Sequence, residues 1–407
     1  MTALARTPVR RIVRAIGDAA ARWADADFPP RVQLLDRIVE RTGYTTPVVE
    51  YALDTLFSSL ATDAIEAVIA GELGSTAALD AFTPRAGRPD AQARPVGSVC
   101  IISSRTTIGV AIVPAVFALA AKCDVLVKDR EDALVSAFFA TLAQELDAFA
   151  EAARARAWES EHDAVDLAGF DAVVAFGNDA TLERIASGLT ARTRFIPFGA
   201  RASIGYVTRE ALADEAAAAR IARDAARDLV LYETEGCLSL HALFIEEGGA
   251  IGPATFAALL ARAVERAAVE FPPGRRDARA AAQLAAARNL AAFRAAAGTG
   301  RVFSDAQASF LAVLDPPRSD PPPFLPRAIA LHAVDTPGDA LAYVREHAIP
   351  LEAAALAEPR EDALAAMLAA GAHRIAAFGE LQRPPLGGNH GGRPRIAEFV
   401  TWTTRDV

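Results

Sequence analysis

The chain has 407 residues, a net charge of -9 and 52% hydrophobic content, enough for two domains with sizeable cores. The negative charge, with no local cluster of Lys or Arg, argues against nucleic acid and anionic lipid as partners, so we expect small molecules. Three cysteines are too few for a disulfide frame or a CxxC site, and the six histidines never fall at metal-ligand spacing. We therefore expect no metal and a reduced, cytoplasmic compartment. No signal peptide and no membrane span are predicted, because no stretch reaches about 18 uninterrupted apolar residues.

The N-terminal part of the sequence is predicted to be a helical lead-in, residues 1–94. Apolar residues of 32–39 share one helical face, and a longer helix is predicted from Pro47 to about Gly71. From Ala81 to Arg94 the composition turns to Pro, Gly, Arg and Asp, which predicts a loop and a boundary at Pro95.

Residues 95–230 are predicted to form an α/β domain of the kind that binds dinucleotides. Apolar runs predict strands at 96–103, 124–129, 171–177, 192–199 and 202–207, with helices between them that include 108–121 and 131–155. Strands separated by helices of this length indicate a parallel sheet covered on both faces, which binds dinucleotides at the carboxyl ends of its strands. No GxGxxG occurs, so ordinary Rossmann recognition is not supported.

Polar residues follow three of these predicted strands. Ser103, Ser104 and Arg105 follow the first, Lys128 to Glu131 the second, and Gly177 with Asn178 the third. A lysine at a strand end is able to bind ribose hydroxyls, as is the carboxylate three residues later, and a glycine before a helix lets backbone N–H groups approach phosphate. The alternative for Lys128 and Glu131 is a solvated pair at a helix start.

The stretch 231–246, LYETEGCLSLHALFIE, places Cys237 between an acidic turn and an apolar strand. A cysteine held at the end of an element suggests covalent acyl chemistry, because a thiolate attacks acyl carbonyls and leaves readily. The alternative is a small buried hydrophobe. Glu235 is expected to raise the pKa of the thiol if it lies close. His241 is interpreted as a hydrogen-bonded structural histidine rather than an acid.

Residues 231–385 are predicted to form a second α/β unit that carries the cysteine. Its helices are predicted at 253–269 and 276–296, and its later strands at 310–314, 327–334 and 352–357. Residues 386–407 are predicted to be a glycine loop followed by an alternating strand. That strand is suited to pair with another subunit, so we expect a homo-oligomer.

Four segments, in the same order along the chain, resemble motifs of the aldehyde dehydrogenase superfamily and more closely its LuxC-like acyl-CoA reductase branch. The resemblance covers residues 95–407 and is carried by PVGSVCIIS, PFGARASIGYV, TEGCLS and RPPLGGNHGGRPRIAEF. Arg105 and Lys128 are also 23 positions apart, as the family's catalytic asparagine and ribose-binding lysine are.

The resemblance implies two doubly wound α/β domains, a nicotinamide-cofactor-binding domain at 95–230 and a catalytic domain at 231–385, with the active site between them and a small oligomerisation strand element. It implies that Cys237 is the nucleophile, that Arg105 stands at the position of the oxyanion donor, and that cofactor contacts come from two groups of residues: those after the predicted strands (Ser103, Ser104, Lys128, Glu131, Gly177 and Asn178) and the glycine motif (Phe198 and Gly199).

Departures from the family pattern bear on the mechanism. Pro197 stands where hydrolytic members carry the glutamate that activates water, and Pro322, beside Phe324, stands where a nicotinamide-ribose glutamate is expected. An acyl group that is passed to or from a thiol needs no such base, so the pattern favours acyl-thioester reduction.

The resemblance thus implies NAD(P)H-dependent reduction of an acyl-CoA or an acyl-carrier protein to an aldehyde through a thioester on Cys237. Arg130 and the resemblance favour NADPH, whereas Glu131 would favour NADH; NADPH is the predicted cofactor, with NADH as the alternative. Two alternatives remain. One is an aldehyde-oxidising or acyl-phosphate-reducing enzyme of the same fold, and the other is a catalytically weakened binding or scaffold protein.

Overall fold

The computed structural model describes residues 2–104, 107–129, 133–158, 166–315 and 324–406. The predicted site residues Arg105 and Glu131, and also Pro322, lie outside these ranges. The chain divides into two compact units. Unit 1 comprises residues 1–42, 49–200 and 385–407, and unit 2 comprises 43–48 and 201–384.

The secondary-structure elements follow in chain order. The helices are α1 Ala3–Arg6, α2 Val9–Ala24, α3 Pro29–Thr42, α4 Thr46–Ser58, α5 Thr62–Leu73, α6 Ile112–Ala120, α7 Leu134–Glu145, α8 Phe149–Ala152, α9 Asp179–Ser187, α10 Glu215–Val230, α11 Pro253–Glu270, α12 Ala278–Ala296, α13 Pro337–Glu346 and α14 Glu361–Ala369. The strands are β1 Thr83–Arg85, β2 Arg88–Pro95, β3 Ser98–Ile102, β4 Asp124–Lys128, β5 Ala153–Arg156, β6 Ala172–Phe176, β7 Arg194–Phe198, β8 Ala202–Val207, β9 Leu240–Glu246, β10 Arg301–Phe303, β11 Leu311–Asp315, β12 Ala328–Val334, β13 Leu351–Leu356, β14 Arg374–Ala377 and β15 Val400–Arg405.

The helices of the lead-in pack through an apolar face. In α2 the spacing of Ile12, Ile16 and Trp23 places all three on one buried side. Trp23 packs against the rings of Phe57 and Phe138 at centroid distances of 5.2 and 6.5 Å. None of the helices in the described ranges is long and apolar enough to cross a membrane.

A five-stranded sheet of parallel strands forms the centre of unit 1, in the order β5-β4-β3-β6-β7. The chain runs outward from β3 through β4 to β5 and then returns to β6, so the strand order reverses between β3 and β6. The predicted helix over 131–155 is wrong at its end, because α7 stops at Glu145 and 153–156 is strand β5. The sequence ARAR has no strong strand signal, and pairing with β4 makes it a strand.

The predicted loop over 81–94 is also wrong. Strands β1 and β2 form an antiparallel hairpin there, and β15 pairs with β2 along its length, from Val400 opposite Pro95 to Arg405 opposite Asp90. A Pro- and Arg-rich segment becomes a strand because the distant C-terminus supplies its hydrogen-bond partners. The alternating C-terminal segment is therefore a strand, and its partner in this structure lies in the same chain.

A seven-stranded sheet forms the centre of unit 2, in the order β10-β11-β12-β9-β8-β13-β14, with only β10 antiparallel to its neighbour among these strands. The compact unit begins at Arg201 instead of the predicted 231, because β8 pairs with β9 and β13. The helices α10 and α11 cover this sheet together and carry buried apolar faces.

Candidate active site

Cys237 follows a turn with unusual backbone geometry between α10 and β9. Tyr232, Glu233 and Thr234 all have left-handed φ angles, of 56°, 52° and 62°. A left-handed conformation costs a non-glycine residue roughly 1–2 kcal/mol, so three in succession persist only where side-chain contacts hold them.

A buried ion pair holds this turn in place. The Glu233 carboxylate accepts hydrogen bonds from the Arg327 guanidinium, with Nε at 2.8 Å, and from the backbone N–H of Gly274 at 3.1 Å. Arg327 is fully buried and also donates to the carbonyl oxygens of Phe271 and Pro272 at 2.8 and 3.0 Å. The turn before the cysteine is thus tied to the loop after α11 and to the start of β12.

Cys237 differs from the other two cysteines in exposure. Cys100 and Cys123 are buried, whereas Cys237 is partly exposed. The Ser203 hydroxyl donates a 2.8 Å hydrogen bond to the carbonyl oxygen of Cys237, which fixes its backbone to β8. Cys237 is therefore a partly exposed residue with a fixed backbone, three positions before the start of β9.

The surroundings of Cys237 keep its thiol protonated. Burial raises the pKa of Cys237 to about 12, the negative charge of Glu352 adds to the rise, and Arg201 opposes it. The sequence predicted that Glu235 would raise this pKa, but the carboxylate that acts on the thiol is Glu352. No local signal identifies Glu352, because it lies 115 positions after Cys237 (352 minus 237) and reaches the site through the pairing of β13 with β8.

His241 lies near the same turn and is neutral at pH 7. Burial lowers its pKa to about 4, while its Nε2 is 3.0 Å from the carbonyl oxygen of Thr234. Its ring meets the Phe324 ring edge-on at a centroid distance of 4.5 Å. These contacts agree with the interpretation of His241 as a hydrogen-bonded structural histidine.

A hydrogen-bond network links α10 to the segment around Cys237. The buried Asp228 carboxylate accepts hydrogen bonds from the backbone N–H groups of Gly379 and Leu381 at 2.7 and 3.2 Å. Gln382, in the same loop, donates to the hydroxyl of Ser239 at 3.1 Å. Burial raises the pKa of Asp228 to about 7, since its hydrogen bonds offset only part of the desolvation. The loop that supports Ser239, two residues after the thiol, thus depends on an ionisable buried group.

The predicted cofactor residues of unit 1 meet at one edge of its sheet. They are Ser103 and Ser104 after β3, Lys128 at the end of β4, Gly177 and Asn178 after β6, and Phe198 and Gly199 at the end of β7. This is the carboxyl edge, and the strand order reverses there between β3 and β6. Open α/β sheets bind ligands at such a reversal point.

Several of these side chains already have partners within unit 1. The Lys128 ammonium lies 4.9 Å from the centre of the Trp158 ring, a cation–π contact. The Asn178 side chain caps α9 by accepting a 2.9 Å hydrogen bond from the backbone N–H of Thr181. The Phe198 ring stacks on Phe176 and His390 at centroid distances of 4.9 and 4.3 Å.

The donor set at this edge fits the sugar part of a dinucleotide better than it fits a phosphate on α9. Ser104 and Lys128 supply hydroxyl and ammonium donors of the kind that bind ribose hydroxyls. Asp179 gives the first turn of α9 its own negative charge. Its carboxylate lies beside Gly199, since a Cβ added to that glycine would come within 3.3 Å of it. That charge opposes a phosphate at the helix end. In the described ranges no cluster of three or more His, Cys, Asp or Glu side chains is placed to hold a metal ion.

Comparisons with known proteins give a family match for this chain and solved structures with the same fold. A family model described as acyl-CoA reductase (LuxC) matches residues 4–402. No functionally curated protein matches the sequence significantly.

Solved structures of aldehyde dehydrogenases share the fold. An NAD-dependent benzaldehyde dehydrogenase from Corynebacterium glutamicum superposes with a TM-score of 0.71 at 15% identity, covering 99% of this chain and 87% of that one. Aldehyde dehydrogenase 21 from Physcomitrella patens gives 0.70 at 10% identity, covering 98% and 86%. The glyceraldehyde-3-phosphate dehydrogenase GapN from Methanocaldococcus jannaschii, solved with NADP, gives 0.70 at 11% identity, covering 99% and 90%. The predicted fold class, aldehyde-dehydrogenase-like α/β, is confirmed.

Proposed function

Because this chain belongs to the acyl-CoA reductase (LuxC) family, an aldehyde-forming class of oxidoreductase, we propose that it reduces an acyl thioester to an aldehyde through a covalent thioester on Cys237. The resemblance drawn from the sequence motifs is thereby confirmed at the level of the family. The observation that carries the covalent step is the placement of Cys237, a partly exposed residue that follows a turn held by Glu233 and Arg327 and whose backbone is held by Ser203.

In the first step the sulfur of Cys237 forms a bond to the acyl carbon. The carbon–sulfur bond of the substrate thioester then breaks. The leaving sulfur takes up the proton that Cys237 gave up and departs as a free thiol. The backbone N–H of Cys237 is proposed to hold the carbonyl oxygen while it carries negative charge, which is the usual role of a backbone donor beside a nucleophile. Acyl-CoA and acyl-carrier protein present the same thioester, and both are proposed substrates.

The proposed cofactor is NADPH, with NADH as the alternative. When bound, the reduced nicotinamide supplies the hydride that brings the acyl group to the oxidation level of an aldehyde. Lys128 and Ser104 are proposed to bind ribose hydroxyls, and the glycine backbones at 177 and 199 to allow close approach of the cofactor. Cys237 then leaves as a thiolate when the aldehyde carbonyl forms, and its reprotonation returns the enzyme to its starting state.

The absence of a water-activating side chain at position 197 supports reduction over hydrolysis. Pro197 lies within β7, paired with Ala175 of β6, and carries no acid or base. A thioester on Cys237 is therefore expected to exchange with thiols faster than it hydrolyses.

The C-terminal strand supports the proposal of a homo-oligomer. Among the described strands, β15 pairs on one side only, with β2, and its side chains are largely exposed. An unpaired strand edge is a surface on which a second copy is able to add. Light scattering after gel filtration tests this; a monomer at micromolar concentration would contradict it.

Aldehyde formation from acyl-CoA tests the function directly. The purified chain is incubated with NADPH and saturated acyl-CoAs of increasing length, and aldehyde is trapped as a hydrazone. We expect aldehyde from the wild type and none above background from Cys237→Ala, with cofactor binding retained. Cys123→Ala, the same change at a buried cysteine of unit 1, is the matched control and should keep the wild-type rate per folded molecule. Substantial aldehyde from Cys237→Ala, or none from the wild type with any acyl-CoA, would contradict the proposal.

A further inference from the structure

Two irregularities of the seven-stranded sheet meet at Ser203. Between β8 and β9 the register passes from Ser203 opposite Leu240 to Ile204 opposite Ala242, which leaves His241 as an extra residue. Between β13 and β8 it passes from Leu351 opposite Ala202 to Ala353 opposite Ser203, which leaves Glu352 extra. Bulges re-aim side chains and are over-represented beside active sites.

The bulge at Glu352 brings a carboxylate into a buried position with two basic partners. The Glu352 side chain is 5% exposed, and its Oε2 lies 3.6 Å from Nε of Arg201 and 4.0 Å from Nδ1 of His373. Arg201 also donates to the carbonyl oxygen of Leu351 at 3.3 Å, and its Nη1 lies 3.3 Å from Nδ1 of His373. The guanidinium is therefore anchored to β13 and to the residue before β14.

These charges act on the nucleophile from the neighbouring strands. Arg201 stands two residues before Ser203, whose hydroxyl holds the Cys237 carbonyl oxygen. Glu352 disfavours a thiolate at Cys237 and Arg201 favours one. Other titratable groups of unit 2 near this site include His373, which contacts Glu352, and Glu235, two residues before the thiol. They also include His241 on β9, which is neutral, and Asp228 on α10, which is linked to Ser239 through Gln382. Burial is the main cause of the raised pKa of Cys237, and the opposed charges of Glu352 on β13 and of Arg201, just before β8, modify it.

We propose that Glu352 and Arg201 are positioning residues that control the ionisation of Cys237. Glu352 adds its negative charge to the effect of burial, and together they keep the sulfur protonated in the resting enzyme and limit its reaction with electrophiles other than the substrate. Arg201, held by Glu352, stabilises the negative sulfur during its attack and its departure. The role in turnover rests on the proposed function, whereas the control of ionisation is a property of the thiol alone.

Alkylation of Cys237 tests this without any acyl substrate. The rate of carbamidomethylation by iodoacetamide is measured by peptide mass spectrometry from pH 7 to 11. At pH 8 we expect Glu352→Gln to react about tenfold faster and Arg201→Gln about tenfold slower than the wild type, since one pKa unit changes the thiolate fraction tenfold well below the pKa. Both variants should shift the pH profile, in opposite directions.

Conservative and remote variants separate charge from fold. Glu352→Asp and Arg201→Lys keep the charges and should restore most of the wild-type profile, and they serve as the test if a neutral variant fails to fold. Glu358→Gln, beyond the other end of β13, and Arg223→Gln, on the exposed side of α10, should leave the profile unchanged. Unchanged profiles in both neutral variants, or a shift of both in the same direction, would overturn the proposal. A failure of Cys237→Ala to abolish aldehyde formation would instead refute the proposed function and leave this result standing.

Discussion

Replacing Asp228 by Asn is expected to change how the stability of unit 2 depends on pH. The pKa of Asp228 is raised from 3.8 to about 7, chiefly by burial. The folded state therefore holds a proton that the unfolded state releases between these values, so this group makes stability fall as pH rises from about 4 to 7. Since one pKa unit corresponds to about 1.4 kcal/mol, the fall amounts to at most about 4 kcal/mol.

Asp228→Asn removes this dependence of stability on pH, but it also weakens the hydrogen bonds to the loop that contains Gly379 and Leu381. Asp228 accepts hydrogen bonds from Gly379 and Leu381, and an amide oxygen replaces only one of the two carboxylate oxygens. The lost hydrogen bond costs about 1 kcal/mol at every pH. We therefore expect Asp228→Asn to be less stable than the wild type by about 1 kcal/mol at pH 5 and more stable by up to about 3 kcal/mol at pH 8.

Hydrogen exchange measured by mass spectrometry is the suitable assay, because it reports on peptides of 201–384. Tryptophan fluorescence is not suitable, since Trp23, Trp158 and Trp402 all belong to unit 1. Rates are corrected for intrinsic exchange, and Glu215→Gln, exposed at the start of α10, is the matched control. Protection that changes equally with pH in the wild type and in Asp228→Asn would refute the reasoning.

Three further outcomes are expected. Ser203→Ala removes the hydrogen bond to the Cys237 carbonyl oxygen, worth about 1 kcal/mol, and should lower turnover about fivefold with little change in cofactor affinity. Ser203→Thr should recover part of the loss, and unchanged steady-state kinetics in Ser203→Ala would contradict the role of this hydrogen bond in holding Cys237. Arg327→Met removes the nearer charged partner of the buried Glu233, at 2.7 Å, and leaves Arg276 at 3.8 Å, so it should destabilise unit 2 by about 3 kcal/mol. Glu233→Gln should cost less in the Arg327→Met background than in the wild type, and equal costs in a thermal double-mutant cycle would rule out coupling. Burial would raise the pKa of Glu246, but hydrogen bonds, chiefly from arginine, lower it to about 2, so its contribution to stability is present above pH 4.5 and is lost as pH falls toward 2. Glu246→Gln should reduce this acid-induced loss of stability when the unfolding midpoint is measured against pH, and an unchanged loss would exclude Glu246 as its source.

Much of the fold follows from local patterns in the sequence. The apolar runs at 96–103, 171–177 and 202–207 are strands because buried parallel strands need continuous apolar residues, and the structure gives β3, β6 and β8 there. The four motifs, taken in their order along the chain, likewise identified the family, because each is local in sequence and needs no knowledge of packing.

Long-range pairing decided the rest. Residues 83–95 look like a loop until β15 supplies hydrogen bonds from more than 300 positions away, and 153–156 look helical until β4 does the same. Glu352 and Arg201 carry no motif of their own, and they act on Cys237 only because β13 and β9 flank β8 and a bulge turns the carboxylate inward. Local sequence fixes which side chains are available, while the electrostatic environment of the sulfur depends on strand order and register, and these are set by contacts between distant parts of the chain.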